Sequence, residues 1–499
     1  MKIIIKNTLF ALLVSFSLIS CESLDVINEN QPDAVAALGN PSDVIALLDG
    51  AGTNLMMRTI GFSGIFYNLM ADQTSTTNAY VGLWSFADQP RLQINNSPTN
   101  SDLGESVGGD WSGFNNYVFS ANLVIDLIEF KNSPMVIDGV DYAPQMLAQA
   151  YFIKGLSQGF LSMIYDKAYI VNPDTDFATL EFSDYNTISL AAIENIEKSI
   201  SLASTVSNFK YSIYQGYNLN KADFNEVANS FMAKILISTP RTKAEAATVD
   251  YAKVLAYANK GISTDFSPPT NGGYEFFNNM QDWSTYTLSD DSGYLPTDIK
   301  VLSLLDSSYP KDYPLDPAVI LDPATSTDPR LDYFKYATSF GYLRESRGRA
   351  LFTNYRNQRF YTNNDRGTLA GLSTDIFHTE ELDYIKAEAQ LKSAGAASAA
   401  AVLNSSARFT KGNITTPDTE AGVEYALHYE YSVELDLAAT IGTQWMFMRR
   451  FDLLQKGTPL NYPVPGTELE ITGSANYSFG GETNADKEGT ASGANSWKN

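Results

Sequence analysis

The sequence predicts a mainly α fold in which helices follow one another in antiparallel pairs, with long irregular loops and minor β-hairpins between them. Three observations lead to this prediction. Apolar residues recur at helical spacing in several capped segments, these segments come in pairs with short linkers, and the stretches between the pairs lose the helical period. With 499 residues, the chain is long enough to bury a large core.

The clearest helical pattern lies in residues 146–164. Apolar side chains recur there every three or four residues, at Met146, Ala150, Ile153, Leu156, Phe160 and Ile164. This spacing places them on one face of a helix, and we expect that face to point into the core.

Residues 220–262 contain a predicted helical hairpin. Asn220, with Asp223 three residues later, has the pattern of a capping box, and Pro240 ends the first helix. A second apolar stripe runs over 251–262 and finishes at Gly261. Two amphipathic helices with a short linker pack as an αα-hairpin.

Similar pairs follow the same logic elsewhere in the chain. A helix is predicted over 188–203, and Thr379 is the predicted cap of a helix over 382–391 that is followed directly by another over 396–407. Hairpins in series are typical of a tetratricopeptide-like superhelix, in which each pair buries its apolar face against the next. The chain has no strict 34-residue repeat, so unrelated helices in a globular α domain are the alternative.

Two loops, near 72–113 and 267–328, combine turn residues with many aromatic rings and polar side chains. A sugar ring offers a flat face of C–H groups and a belt of hydroxyls, which aromatic rings, amides and arginine can bind together. The alternative is that the rings only pack beneath the loops. The candidate ligand-binding residues are Asn78, Tyr80, Trp84, Arg91, Gln281, Trp283, Tyr286 and Tyr294.

Composition excludes several kinds of function. The net charge of −23 disfavours nucleic-acid binding, and a single cysteine with two histidines disfavours metal and cofactor sites that need several such ligands. No hydrolase elbow, zinc-protease motif or phosphate loop occurs, so we expect no catalysis, metal or cofactor, although paired acids leave a glycoside hydrolase as an alternative. The basic stretch 330–366 is interpreted as solvated strand residues that pair with nearby acids.

The N-terminus has the pattern of a lipoprotein signal. A basic start precedes the apolar run 9–19, which is shorter than the roughly 20 residues that cross a bilayer. The run ends in Leu-Ile-Ser-Cys, which resembles a bacterial lipobox, so Cys21 is the predicted lipidation site. We therefore expect a signal peptide over 1–20, a lipidated tether over 21–40 and a single domain over 41–499.

The chain resembles the SusD/RagB family of nutrient-binding outer-membrane lipoproteins. The resemblance extends over nearly the whole mature chain and depends on the order of several short motifs more than on any one of them. Asp166 stands where the family usually has glycine, and the C-terminus from Ser474 is rich in Gly, Ala and Ser. The matching motifs are Asn28-Glu-Asn-Gln-Pro32, the segment from Trp111 through Asn122, Asp328-Pro-Arg330, Glu381 through Glu388, Glu434-Leu435 with Trp445, Arg450 and Asp452, and Tyr462-Pro-Val-Pro465.

This resemblance implies a helical scaffold whose loops bind oligosaccharide without chemistry. It also implies an outer-membrane location, with the lipid anchor holding the protein on the cell exterior, and a SusC-like TonB-dependent transporter as partner. Glu388 and Asp452 are then scaffold residues. Capture of peptides, as on the RagB side of the family, and a purely structural lipoprotein are the alternatives.

Overall fold

A succession of paired helices forms the body of the protein. The computed structural model describes residues 38–77, 79–98, 107–214, 217–268, 280–285, 295–316, 319–337, 351–360 and 375–499. Its α-helices are α1 (Pro41–Thr59), α2 (Gly64–Met70), α3 (Leu83–Ala87), α4 (Gly109–Ile125), α5 (Ala143–Ile164), α6 (Tyr185–Thr205), α7 (Lys221–Ser238), α8 (Lys243–Ala246), α9 (Tyr251–Ala258), α10 (Met280–Thr285), α11 (Ile299–Leu305), α12 (Thr379–Ser393), α13 (Ala396–Leu403), α14 (Ala407–Thr410), α15 (Glu420–Val433), α16 (Thr443–Arg450) and α17 (Gly466–Ile471).

The strands of the described residues are short and pair two by two in antiparallel fashion. The pairs β2–β3 and β6–β7 are local hairpins, whereas the first and last strands join distant parts of the chain, with Gln93 opposite Gly480. The strands are β1 (Gln93–Asn95), β2 (Val136–Ile137), β3 (Val140–Asp141), β4 (Lys167–Ala168), β5 (Ser183–Asp184), β6 (Lys210–Tyr214), β7 (Tyr217–Asn220), β8 (Phe334–Tyr336), β9 (Tyr355–Asn357) and β10 (Ser478–Gly480).

Helix α5 lies at the centre of the first half of the scaffold and is buried from Met146 to its end. It packs against α4, α6 and α7. Two glycines permit the close approach: a Cβ at Gly155 would lie 2.7 Å from Ile196 of α6, and one at Gly159 would lie 2.4 Å from Ile235 of α7. The predicted apolar face is confirmed, although α5 is buried on every side because α1 packs on it as well as α4, α6 and α7.

Side-chain caps fix where the helices begin. Asn220 accepts hydrogen bonds from the amides of Ala222 and Asp223, as its sequence pattern predicts. Asp184 caps α6 in the same manner through the amides of Asn186 and Thr187. Each such cap satisfies amides that the first helical turn leaves without a partner.

The helices stack in chain order. Contacts run from α6 to α7, from α7 to α9, from α9 to α12, and from α12 to α13 and α15. Each hairpin therefore buries its inner face against the next one, and the predicted mainly α, tetratricopeptide-like scaffold is confirmed.

Two local expectations are wrong. Helix α12 has His378 as its N-cap, and Thr379 is the first helical residue, because its amide and hydroxyl both donate to Asp265 Oδ1 at 2.8 Å. The loop 267–328 contains the helices α10 and α11, which are too short, at 6 and 7 residues, to show a clear period in the sequence.

In the basic stretch, Arg330 differs from the expected solvated state, whereas Lys335, on β8, is exposed as expected. Arg330 is 2% exposed and donates to Glu430 Oε2 at 2.6 Å and to Asp328 Oδ2 at 2.9 Å. Arg408 donates to Glu430 Oε1 at 3.1 Å, and Arg330 also donates to Glu434 Oε2 at 3.2 Å. We call Asp328, Arg330, Arg408, Glu430 and Glu434 the ionic cluster. These arginines pair with acids, as expected, but they do so inside the protein. Burial of the charges is possible because each one has a partner of opposite sign. Arg344, Arg347, Arg349 and Arg366 lie outside the described residues.

Glu388 and Asp452 occupy scaffold positions, as expected. Arg450 donates to both oxygens of Glu388, at 2.9 and 2.7 Å, and both side chains are buried. Asp452 accepts from Asn495 Nδ2 at 2.7 Å. The predicted signal peptide, Cys21 and most of the tether lie outside the described residues.

Candidate functional site

Three aromatic side chains from separate parts of the chain meet at one place. The rings of Tyr80 and Trp283 stack with centroids 6.1 Å apart and an angle of 15° between their planes. Phe62 contacts both edge-on, with its centroid 6.5 Å from that of Tyr80 and 5.0 Å from that of Trp283. We call Phe62, Tyr80 and Trp283 the aromatic platform.

Local backbone structure positions each ring. Tyr80 begins a single 3₁₀ turn before α3, and Val81 and Gly82 both have positive φ, at 42° and 78°, which bends the chain sharply after Tyr80. Trp283 belongs to α10, whose first amide donates to Ile60 O at 3.1 Å. Gln281 is the second residue of α10, and its Nε2 donates to Leu437 O at 2.7 Å. The predicted ligand-binding residue Gln281 thus anchors α10 to the scaffold.

The two loops that carry the platform are joined to each other through their backbones. Thr74 and Thr297 form an antiparallel bridge, and the amide of Ser75 donates to Pro296 O at 2.8 Å. The amide of Asp298 donates to Gln73 O at 2.9 Å. Loops that are separate in sequence therefore form one surface.

The platform presents aromatic faces to the outside. Tyr80 is 52% exposed, and Trp283 is partly buried behind it. A half-exposed ring with a second ring stacked on it keeps its orientation, so a ligand does not have to order it. Such a surface suits a ligand with an apolar face and hydroxyl edges.

The remaining candidates are distributed differently. Trp84 lies on the adjacent helix α3 and is partly buried. Arg91 is 4% exposed, forms an ion pair with Asp72, and donates to Phe86 O at 2.8 Å. This placement favours a structural role for Arg91. Asn78, Tyr286 and Tyr294 lie outside the described residues.

Sequence reasoning missed Phe62. It lies between α1 and α2 in the run Gly61-Phe62-Ser63-Gly64. The available signal was an aromatic residue in a glycine-containing turn between two helices. Such a residue belongs to neither helical apolar face, so it is a candidate for a surface contact.

A network of buried charges lies below the joined loops. Lys300 Nζ donates to Ala71 O at 2.6 Å, and Asp298 accepts from the Tyr313 hydroxyl at 2.7 Å. Burial, together with the nearby Asp72, raises the pKa of Asp298 to about 7, while burial lowers the pKa of Lys300 to about 8. Asp436 accepts from Gln73 and Asn357, and burial raises its pKa to about 6. These side chains tie the platform loops to the scaffold.

The C-terminus closes the same region. Trp497 Nε1 donates to Asp72 Oδ2 at 2.7 Å, and β10 pairs with β1 just after α3. The Gly- and Ser-rich end, which departs from the family pattern, therefore packs beside the platform loops.

A cavity of about 940 Å³ lies elsewhere, between the end of α5, the starts of α6 and α8, and the C-terminal segment. None of the candidate ligand-binding residues lines it. Burial raises the pKa of Asp166 in its wall to about 6, and the carboxylate accepts from the Tyr477 hydroxyl at 3.0 Å. The platform combines aromatic residues from both predicted loops, so we favour it over this cavity as the ligand site.

Comparison with known proteins rests on structure. No protein-family model matches the sequence, and no curated protein matches it. A SusD superfamily protein from Bacteroides thetaiotaomicron matches with a TM-score of 0.58 and 13% identity, over 88% of this chain and 94% of its own. One from Bacteroides vulgatus matches with a TM-score of 0.57 and 15% identity, over 86% and 97%.

A laminarin-binding SusD-like protein also matches, with a TM-score of 0.53 and 15% identity, over 88% of this chain and 99% of its own. Among the described residues, no helix has both the length and the apolar composition to cross a membrane. The structural matches cover nearly all of both chains, and they show that this protein has the SusD-like fold.

Proposed function

We propose that this protein binds oligosaccharides at the aromatic platform. The observation that carries the proposal is the stack of Tyr80 on Trp283, half exposed, where the two predicted ligand loops join. Asn78, Trp84, Tyr286 and Tyr294 remain proposed contributors on the same loops. Arg91 and Gln281 support the site from within.

Two structural neighbours support this ligand class. One is described as a laminarin-binding SusD-like protein, and another, with a TM-score of 0.50 and 13% identity over 81% of this chain and 82% of its own, as a structure with xylogluco-oligosaccharide. Both ligands are carbohydrates, whose rings have apolar faces. Because one stacked ring contributes only about 1 kcal/mol beyond the area that it buries, we expect micromolar or weaker affinity for short glycans.

We further propose that Cys21 carries the lipid anchor, that the protein faces the cell exterior, and that it delivers glycan to a TonB-dependent SusC-like transporter. The lipobox-like end of the N-terminal apolar run supports the anchor. Labelling with a fatty-acid probe and loss of the label in Cys21→Ser test the anchor. Co-purification of a β-barrel transporter from detergent-solubilised membranes tests the partner.

The ligand class is tested by affinity electrophoresis against a panel of polysaccharides that includes laminarin and xyloglucan, with a peptide panel beside it. Retardation by one or more glycans, and no binding of peptides, is the expected result. Binding of peptides alone would replace the proposal with the RagB-like alternative. Absence of any ligand, with only the transporter co-purifying, would favour the structural alternative.

The hydrolase alternative draws support from the raised pKa of Asp166 in the cavity wall. A general acid of a glycosidase needs such a pKa and a second carboxyl group across the bond that is cleaved. Incubation of the purified protein with each glycan that binds should produce no new reducing ends. New reducing ends that disappear in Asp166→Asn would establish the hydrolase.

A further inference from the structure

His378 lies among carboxylates at the start of α12. Its ring is 5% exposed, and its Nδ1 lies 3.6 Å from Asp265 Oδ2. Its other nitrogen, Nε2, lies 3.5 Å from Asp375 Oδ2. Asp265, His378 and Glu380 each place one potential ligand atom within 4.8 Å of the others.

The fold holds these groups together. Phe266 and Phe377 form an antiparallel bridge, with the Phe266 amide donating to Phe377 O at 2.8 Å. Their chain neighbours Asp265 and His378 are thereby brought side by side. The amide and hydroxyl of Thr379 both bind Asp265 Oδ1, which leaves Oδ2 facing the imidazole.

Each nitrogen of the imidazole faces a carboxylate oxygen in this arrangement. Nε2 is buried and has no hydrogen-bond partner. Both nitrogens lie at 3.5 to 3.6 Å from carboxylate oxygens, which is long for a hydrogen bond. Two ligands of a tetrahedral ion, each at about 2.1 Å, lie roughly 3.4 Å apart, so the Nδ1 to Oδ2 separation suits a shared metal better.

The local charge also favours a cation. Asp265, Asp375 and Glu380 surround one imidazole, and Lys411 Nζ, 2.6 Å from Glu380 Oε1, is the basic partner found for them in the described part of the chain. Carboxylates that lie this close together repel one another, and a positive charge between them reduces that repulsion. A divalent ion supplies that charge.

We propose that Asp265, His378 and Glu380 form a binding site for a divalent transition metal of the Zn²⁺ type. His378 Nδ1, Asp265 Oδ2 and the Glu380 oxygen not bound to Lys411 are the protein ligands. Asp375 Oδ2, 3.5 Å from Nε2, is placed to accept the Nε2 proton once the ring binds metal through Nδ1, as outer carboxylates do at many metal-bound histidines. An imidazole among the ligands selects Zn²⁺ over Ca²⁺ or Mg²⁺.

The presence of only two histidines in the sequence predicts no metal site. This site needs only one. It connects the segment before the Trp283 loop to α12, so the ion acts as a structural cross-link between them. The inference is independent of glycan binding, which is measured in a separate assay.

Calorimetric titration of the full chain, treated with EDTA and then dialysed at pH 7.5, with Zn²⁺ tests the site. We expect one equivalent to bind. His378→Gln should weaken binding at least 100-fold. Asp265→Asn, which keeps an oxygen acceptor for Thr379, should weaken it at least 10-fold, and Asp375→Asn about 10-fold as an outer-shell change.

Asp418→Asn is the matched control, because it removes an exposed acid from a loop outside the site and should leave binding unchanged. Circular dichroism of each variant establishes that it is folded. No Zn²⁺ binding by the wild type, or equal binding by the wild type and a folded His378→Gln variant, would overturn the proposal. In either case His378 would only be an ion-pair partner of Asp265 and Asp375.

Discussion

The ionic cluster and the aromatic platform use their side chains in opposite ways. In the ionic cluster, Glu430 accepts from Arg330, Arg408 and the Tyr384 hydroxyl and has no exposed surface. In the platform, Tyr80 keeps about half of its surface open beside Trp283. The scaffold pairs its charged groups internally, whereas the platform exposes an aromatic ring, so stability and ligand binding are expected to respond to different substitutions.

The largest effect is expected in the ionic cluster. Glu430→Gln removes a buried charge and leaves Arg330 and Arg408 with too few acceptors, so the free energy of unfolding should fall by about 3–5 kcal/mol. Chemical denaturation followed by circular dichroism measures it. A loss below about 1 kcal/mol would mean that the cluster is no more than a surface-type ion pair.

The second prediction concerns Asp436, which joins the scaffold to the platform loop through Gln73. Because burial raises its pKa to about 6 from an ordinary 3.8, the folded state holds a proton that the unfolded chain releases at lower pH. Its contribution is therefore most favourable below pH 4 and is lost as the pH rises through about 6.

Asp436→Asn removes this titration. The free energy of unfolding of the variant, relative to the wild type, should rise by about 3 kcal/mol between pH 4 and pH 7. Denaturant melts at a series of pH values measure it. A difference that stays constant with pH would show that Asp436 has an ordinary pKa.

The third prediction compares two tyrosines of equal exposure. Tyr80, in the platform, is 52% exposed and Tyr425, on α15, is 53% exposed. Tyr80→Ala should weaken glycan binding roughly 5- to 10-fold, since one stacked ring contributes about 1 kcal/mol, and Tyr425→Ala should not change it. Calorimetry of both variants measures this, and equal losses would remove the distinction between platform and scaffold surface.

The smallest effect is expected at a surface pair of the scaffold. Lys392 Nζ lies 3.5 Å from Glu420, whose side chain is 71% exposed. Glu420→Gln should change the free energy of unfolding by less than about 1 kcal/mol, because water screens the pair. A denaturation curve recorded with that of Glu430→Gln makes the contrast between surface and buried pairs direct.

Helices were predictable because their determinants are local. The period over 146–164 and the cap at Asn220 act within a few residues, and both appear in the structure. The burial of Arg330 was not predictable, since its partner Glu430 lies 100 positions away and only the fold brings the two together. From the sequence alone, a charged residue is predicted to be exposed when its partner is distant along the chain.

The site was predictable in composition and not in geometry. Aromatic density located both loops, and the fold stacks Tyr80 on Trp283. Arg91 was selected as a candidate for its charge, but it is buried, where it forms an ion pair with Asp72. Phe62 was missed because it lies outside both loops, in the turn between α1 and α2.

The central claim is that the platform loops bind sugar, and calorimetric titration with the tightest oligosaccharide of the panel tests it most directly. The wild type, Trp283→Ala and Trp84→Ala are titrated under the same conditions. We predict a dissociation constant in the micromolar range or weaker for the wild type and a loss of about 10-fold or more for Trp283→Ala. Affinity unchanged in both folded variants would contradict the account.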